Sequence, residues 1–395
     1  MSSAKRWLLP DGVEEILPAE ARKLESLRRE ILDLYRGWGY ELVITPLIEF
    51  LDSLLVASSH ELDLRTFKLI DQLSGQLMGV RADITPQAAR IDAHHLNRAG
   101  PARLCYADSV LHTLPRGMGA SRVPIRVGAE LYGHAGVESD IEVICLMWAM
   151  LEQAAVEDIH LVLGHVGIYR ALVEAAGMRP EDEEALFAAV QRKAYGDVDQ
   201  LLAAAVADAG LRTMLGRLVR LSGDDEVPGK AREAFAGAPA AVASAFDELM
   251  AIDAGIRRRI PAARLSYDLC ELRGYQYHTG IVFAAYTPGY GRTVAKGGRY
   301  DNIGAVFGRA RPATGFDSDL KTLARLSAQD FPQQAAILAP DSDCAALRQK
   351  VAELRAAGEI VIVDVGGPSD ASAARELHCD RRLERQSGAW TTREL

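Results

Sequence analysis

No two cysteines of this sequence form a C-x-x-C pair. The five present, at 105, 145, 270, 344 and 379, are odd in number and lack metal-ligand spacing. Neither a disulfide framework nor a thiolate zinc site is expected; buried free thiols in a reducing compartment fit better. Long apolar runs are missing as well. The longest, Val143 to Leu151, is well below the ~18 residues of a membrane span. Met1 to Pro10 offers only Trp7, Leu8 and Leu9 before a proline, too little for a secretory leader. The expectation is a cytoplasmic protein with no membrane segment. Positive charge is in short supply: 45 Lys plus Arg against 54 Asp plus Glu, a net −9. That balance argues mildly against a life spent gripping nucleic-acid phosphates.

Familiar catalytic signatures are absent too. There is no G-x-x-x-x-G-K-[ST], no G-x-S-x-G and no H-E-x-x-H. Gly117-Met-Gly119 opens like a dinucleotide fingerprint, but Arg122 stands where the third glycine belongs. His94 and His95 are adjacent, so on a helix they point apart and packing is the better reading than a metal pair. What is present is an ordinary globular composition, 49% apolar and 25% charged, which excludes disorder as the main state. At roughly 150 residues per domain the chain holds about two to three domains.

Leu24, Leu27, Ile31, Leu34 and Tyr35 fall at helical spacing, so 19–37 reads as an amphipathic helix. Tyr40 to Thr45 alternates at strand period, and Pro46 closes it. Strand-like texture fills 65–135, and an apolar helix spans 138–156. Ala, Leu and charged residues then dominate, and 161–262 reads as a helical insertion. Strand signals return at Leu265, with Tyr275, Tyr277, Thr279, Ile281 and Phe283 at period two. The core is therefore expected to be discontinuous, 1–160 and 263–328. A small α/β unit over 329–395 follows, with Arg381 to Leu395 as a solvated tail. The fold class expected is α+β.

Three clusters carry chemistry. Arg81, Asp83 and Thr85 share one face if their segment is a strand; the carboxylate and hydroxyl suit an ammonium group, or the cluster is a salt-bridged strand end. Arg126, Gly128 and Glu130 likewise share a face, with the glycine leaving room for a ligand. A carboxylate within a sheet needs a partner, either Arg126 or a bound cation or N–H donor. The third cluster runs from Glu271 to Phe283 and continues at Gly297-Gly-Arg-Tyr-Asp301. Its aromatic walls and arginine make a pocket for a small, partly flat anion such as a free amino acid, or they are cross-strand packing.

These segments resemble the class II aminoacyl-tRNA synthetase fold, and within it the histidyl-tRNA synthetase family. Arg-Gly-Tyr-Gln-Tyr-His-Thr-Gly at 273–280 is similar to that family's R-G-L-D-Y-Y-T-G signature, and 297–301 matches its G-G-R-Y-D. Leu8-Leu-Pro-Asp-Gly with Ile16-Leu-Pro18 resembles its N-terminal loop. Tyr40 to Pro46 resembles the dimer strand ending in proline. The resemblance covers about 1–320 and implies a sheet flanked by helices. It also implies a histidine site of Asp83, Thr85, Arg126, Glu130, Arg273, Tyr275, Tyr277, His278 and Tyr300. In it Asp83 and Thr85 meet the amino group, Glu130 reads an imidazole nitrogen and Arg273 lies near the carboxylate. Arg126 replaces an expected Gln and His278 an expected Tyr. On a strict strand Arg273 and His278 face opposite ways, so Gly274 must break the alternation.

The ATP side departs from the synthetase pattern. His112, Thr113 and Leu114 stand where the family has R-x-E, and Thr322 stands where a second arginine ends G-L-E-R, with Asp317 and Asp319 nearby. Adenylation depends on positioned cations. Arg116 and Arg122 are the neighbouring candidates to replace one of them. A histidine pocket without an ATP site resembles the synthetase-like regulatory subunits of ATP phosphoribosyltransferase, whose R-A-D-x-T-P-Q and G-A-E-L-Y-G appear at 81–87 and 128–133. That resemblance implies a non-catalytic regulator in the first step of histidine biosynthesis. It implies no cofactor and L-histidine as the allosteric ligand. The implied partner is a short-form catalytic subunit in a hetero-octamer, four of each chain, with self-association at least as a dimer and no tRNA. An active histidyl-tRNA synthetase, a synthetase paralogue with another acceptor, and a scaffold with a dead pocket are the competing readings.

Overall fold

The computed structural model describes residues 7–55, 60–115, 117, 120–272, 274–275, 277–365 and 371–395. They form two units, divided between Gln329 and Asp330. In the first, described residues build a nine-stranded sheet. Its order is Glu41–Leu42, Ala102–Ser109, Ile125–Tyr132, Ala313–Asp319, Ala295–Arg299, Ile281–Tyr286, His160–His165, Arg264–Asp268 and Ser222–Gly223. The strands from Ala102–Ser109 to His160–His165 pair antiparallel. Glu41–Leu42 and Arg264–Asp268 join in parallel. An antiparallel centre flanked by helices makes this an α+β architecture.

Helix Pro18–Gly37 starts with proline in its first turn and buries Leu24, Leu27, Ile31 and Tyr35, the stripe the spacing predicts. Helix Val137–Gln153 is buried along most of its length, because it lies inside a layer rather than on it. Among the described residues, no helix is long and apolar enough to cross a membrane.

Register decides which sheet face does what. Ala129, Phe316, Gly297 and Phe283 lie opposite one another across four strands. They face the helices, and Phe316 meets Tyr35 edge-on at 6.1 Å. One residue along, Glu130, Gly315, Gly298 and Val282 form the next row and point the other way, as the strand period requires.

Local expectations differ in four places. The strand of 40–45 shrinks to Glu41–Leu42. Residues 274–275 and 277–280 lie outside any strand; the strand starts only at Ile281, because Gly274 adopts φ +74 and ends the alternation. Arg81, Asp83 and Thr85 do not share a strand face: the strand Leu77–Val80 stops before them, and Thr85 opens helix Thr85–Arg90. Proline at 86, good in a first helical turn, is the reason. Strand His160–His165 is part of the sheet, and the helices between it and Arg264–Asp268 run from Val166 to Arg259.

The second unit is a four-stranded sheet, ordered Ile360–Asp364, Ala336–Pro340, Cys379–Gln386 and Ala389–Glu394. Helix Ala345–Ala356 closes its core through Leu347 and Val351 against Ile337, Val361 and Leu383. The expected tail is in fact a hairpin. Ser387 and Gly388 both take positive φ, the tight turn that right-twisted strands favour. Its charges pair across strands, Arg393 with Glu384 at 3.3 Å, so a polar sequence still makes a strand.

Candidate functional site

The sheet face away from the long helices floors a cavity of about 170 Å³. Asp83, Thr85, Glu130, Tyr277, His278 and Tyr300 line it together, although they come from a helix start, two strands and a turn. Glycines make the hollow. A Cβ at Gly315 would overlap Glu130 Oε2 and the Tyr300 hydroxyl, and one at Gly298 would lie 2.8 Å from the His278 ring. The room beside Gly128 is not left for a ligand as expected: the Tyr106 hydroxyl fills it, 2.5 Å from where a Cβ would stand.

Glu130 is the centre of the site. Its Oε1 accepts hydrogen bonds from the Thr85 hydroxyl at 3.1 Å and the Tyr106 hydroxyl at 3.1 Å. Its Oε2 is buried and has no hydrogen-bond partner among the described residues; the Tyr300 hydroxyl is in the same condition. Both reach the same point beside Gly315. Burial pushes the Glu130 carboxyl well above the usual carboxylate range; the Thr85 and Tyr106 hydroxyls oppose that rise, and the charges of Asp83 and Asp317 add to it. Orphaned polar atoms this deep cost about 1–3 kcal/mol each, which a ligand group repays by bonding both.

Asp83 Oδ1 accepts from the Thr85 backbone N–H at 3.0 Å, so one carboxylate both caps a helix turn and faces the cavity. His278 stacks obliquely on Tyr277 at 4.3 Å and stands 6.3 Å from Tyr300. These rings are the walls.

Two expected site residues are elsewhere. Arg126 is buried but does not line the cavity. It pairs with Asp317 at 3.0 Å, not with Glu130; burial works against its charge, and Asp317, Asp319 and Asp83 outweigh it. Tyr275 turns outward, donating to Glu183 Oε1 at 2.9 Å. Arg273, like Arg116, lies outside the described residues. Arg81 is a buried tie rather than a ligand group: it bonds the carbonyls of Thr45 and Ser109 and meets Asp108 at 2.7 Å. Sequence reasoning missed Tyr106, which orients Glu130 from two residues beyond the pairing Leu104↔Glu130. It also missed Arg65 and Lys296 on the cavity wall, which Glu271, from the third cluster, and Asp317, read as an acid on the ATP side, line as well. Only the register could have found Tyr106, which stands opposite Asp317 across Gly128.

The His112 ring nitrogen Nε2 is 3.0 Å from the Ala82 carbonyl, and Thr322 donates to Asp319 Oδ2 at 3.1 Å. Among the described residues no cluster of His, Cys, Asp and Glu has the makings of a metal site. The arrangement can enclose a small molecule that brings a nitrogen-bearing ring to Glu130 and Tyr300 and an ammonium group to Asp83.

The family model described as histidyl-tRNA synthetase matches residues 12–323. One described as the ATP phosphoribosyltransferase subunit HisZ C-terminal domain matches 334–393. A protein of Pseudomonas fluorescens (strain Pf0-1), named ATP phosphoribosyltransferase regulatory subunit, is 54% identical over the full length of both chains. One of the same name from Chromohalobacter salexigens is 53% identical, again over both full lengths. Among solved structures, an ATP phosphoribosyltransferase regulatory subunit/histidyl-tRNA synthetase from Bacillus halodurans aligns with a TM-score of 0.82 at 26% identity, covering 95% of this chain and 97% of the other. A histidyl-tRNA synthetase from Nostoc sp. PCC 7120 aligns at 0.78 with 19% identity, covering 98% and 97%, and shares the fold.

Proposed function

We propose, since the chain belongs to the family of ATP phosphoribosyltransferase regulatory subunits, that its cavity is a histidine sensor conferring feedback inhibition on a short-form catalytic subunit. The observation that carries the reading is the pair of orphaned atoms, Glu130 Oε2 and the Tyr300 hydroxyl, facing one point in the cavity. An imidazole ring meets both needs: its N–H donates to the unpartnered Glu130 oxygen, and its second nitrogen accepts from the phenol. Asp83, two residues before the Thr85 that bonds Glu130, takes the ammonium group. The cation Lys296 on the cavity wall suits the carboxylate, the role the resemblance implies for Arg273.

A regulatory role agrees with the ATP side. His112 and Thr322 stand in place of phosphate-gripping arginines and are engaged with Ala82 and Asp319. Asp317 and Asp319 would repel a triphosphate. Adenylation without those cations has nothing to stabilise the transferring charge. The chain therefore works as a regulator in the cytoplasm, with L-histidine as allosteric ligand and no cofactor of its own. Its assembly with the catalytic subunit is a hetero-octamer, four of each, built on self-association of this chain at least as a dimer.

Reconstitution tests the reading. The chain is mixed with the short-form catalytic subunit of the same genome, and phosphoribosyl-ATP formation is followed with and without histidine. The chain should raise activity, and saturating histidine should lower it about 5–150-fold, the range of ordinary allosteric coupling. Glu130→Ala should abolish the inhibition and leave the activation. No complex on a sizing column, or histidine-dependent pyrophosphate exchange by the chain alone, would sink the sensor reading.

A further inference from the structure

The turn that carries Tyr277 and His278 has two sides. It is closed by its own backbone, with the N–H groups of Tyr277 and His278 donating to the Gly274 carbonyl at 3.0 and 2.9 Å. Tyr277 and His278 face the cavity. Tyr275, between them and Gly274, points the opposite way, into helices Val166–Ala175 and Pro180–Gln191. There its ring meets Tyr169 edge-on at 5.3 Å and Phe187 at 5.6 Å. Burial, then the bond to Glu183, pushes its phenol up to about 12, so it stays a donor at neutral pH.

One guanidinium spans the turn. Arg170 Nη2 donates to the carbonyls of both Tyr275 and His278, at 3.1 and 2.9 Å. Its carbon lies 5.0 Å from the centroid of the Tyr275 ring, close enough for a cation–π contact. A group that shifts His278 from inside the cavity shifts a carbonyl held by Arg170, and Arg170 sits in a helix that belongs to the segment 166–259.

We infer that the cavity reports to helices Val166–Ala175 and Pro180–Gln191 through Arg170 and Tyr275, with Arg170 as a positioning residue for the turn. The inference rests on histidine as the cavity's ligand. It assigns the helical segment as the route by which occupancy leaves the site, and it explains why a tyrosine expected in the pocket faces away from it.

The test uses the full chain, backbone hydrogen exchange and histidine calorimetry. In the unaltered chain, histidine should slow exchange at 274–280 and also across 166–191. In Arg170→Ala, exchange at 274–280 should quicken before histidine is added, with the central strands unchanged. Its histidine affinity should fall about tenfold, as loss of one charged hydrogen-bond donor implies, and protection of 166–191 should vanish. Tyr275→Phe keeps the ring, so it should keep the affinity and lose protection at 180–191. Unaltered turn exchange, unaltered affinity or persistent protection of 166–191 in Arg170→Ala overturns the inference while the sensor reading stands. Failure of the unaltered chain to bind histidine overturns both.

Discussion

Glu130 shows how a single carboxyl group links a fold to a ligand. Three neighbours decide its state: Thr85 and Tyr106 bond one oxygen, and the backbone at Gly315 leaves space for the other. Because burial raises its folded pKa, the protonated form is the one the fold favours. The sign follows by linkage. Stability from this group is fully present below the ordinary carboxylate range and is lost as pH rises through the raised folded value. Glu130→Gln removes the titration and keeps the shape. Thermal unfolding across pH should therefore show the variant more stable than the parent at neutral pH and no more stable near pH 4, while histidine binding is lost. A parent that gains on the variant as pH rises would contradict the buried, proton-holding state. At this scale the sequence told much. Asp83, Thr85, Glu130, Tyr277, His278 and Tyr300 lie on one cavity as the motif pattern implied. It misled at Tyr275 and Arg126, since a motif gives order along the chain and says nothing about which way a side chain turns out of a bend.

The central strands were legible for two reasons: apolar residues alternate with Arg126, Gly128 and Glu130 in Ile125–Tyr132, and Ile281–Tyr286 is a short unbroken apolar run. The bend after Gly274 was legible in part: the Arg273–His278 spacing required Gly274 to break the alternation, and its φ of +74 does, but the aromatic residues after it still fall at period two. The C-terminal hairpin was hidden for the opposite reason. Its strands hold few apolar residues, and the charged pair Arg393–Glu384 crosses between them instead. Glycine is the other feature of this scale. Gly315 sits in a strand with no positive φ, so alanine there costs the backbone little. A methyl group would nonetheless displace the Glu130 carboxyl and the Tyr300 hydroxyl. Gly315→Ala should thus fold with the parent's circular dichroism and lose histidine binding by calorimetry; undiminished binding would show that the ligand does not use that point.

For the molecule as a whole, the exposed side chains have a bearing on assembly. Leu42, Ile44, Leu47, Ile48 and Phe50 are all solvent-exposed in the single chain, Ile44 at 78%. They continue from the edge strand Glu41–Leu42, whose outer side has no neighbour in the sheet among the described residues. Exposed apolar residues grouped at an open edge mark an interaction surface. With a second copy as the occupant, Ile44→Glu should shift the chain from dimer to monomer in light scattering and leave the circular dichroism unchanged. A dimer that survives that charge would place self-association on another face. The sequence placed a strand in this proline-terminated segment and overstated its length, because an edge strand paired on one side only has few hydrogen bonds to hold it.

The segment Ala295–Arg299, with Tyr300 behind it, serves two interests at once. Gly298 and Tyr300 border the cavity, whereas Arg299 reaches through to the far layer and closes a buried ion pair with Asp140 at 2.9 Å. Change along this stretch is therefore sorted by parity. A change at an even-numbered position acts on the cavity, and a change at the odd-numbered arginine between them strands a buried charge at a cost of about 3–5 kcal/mol. Recognition can diverge in such a lineage faster than architecture, within a run of three residues.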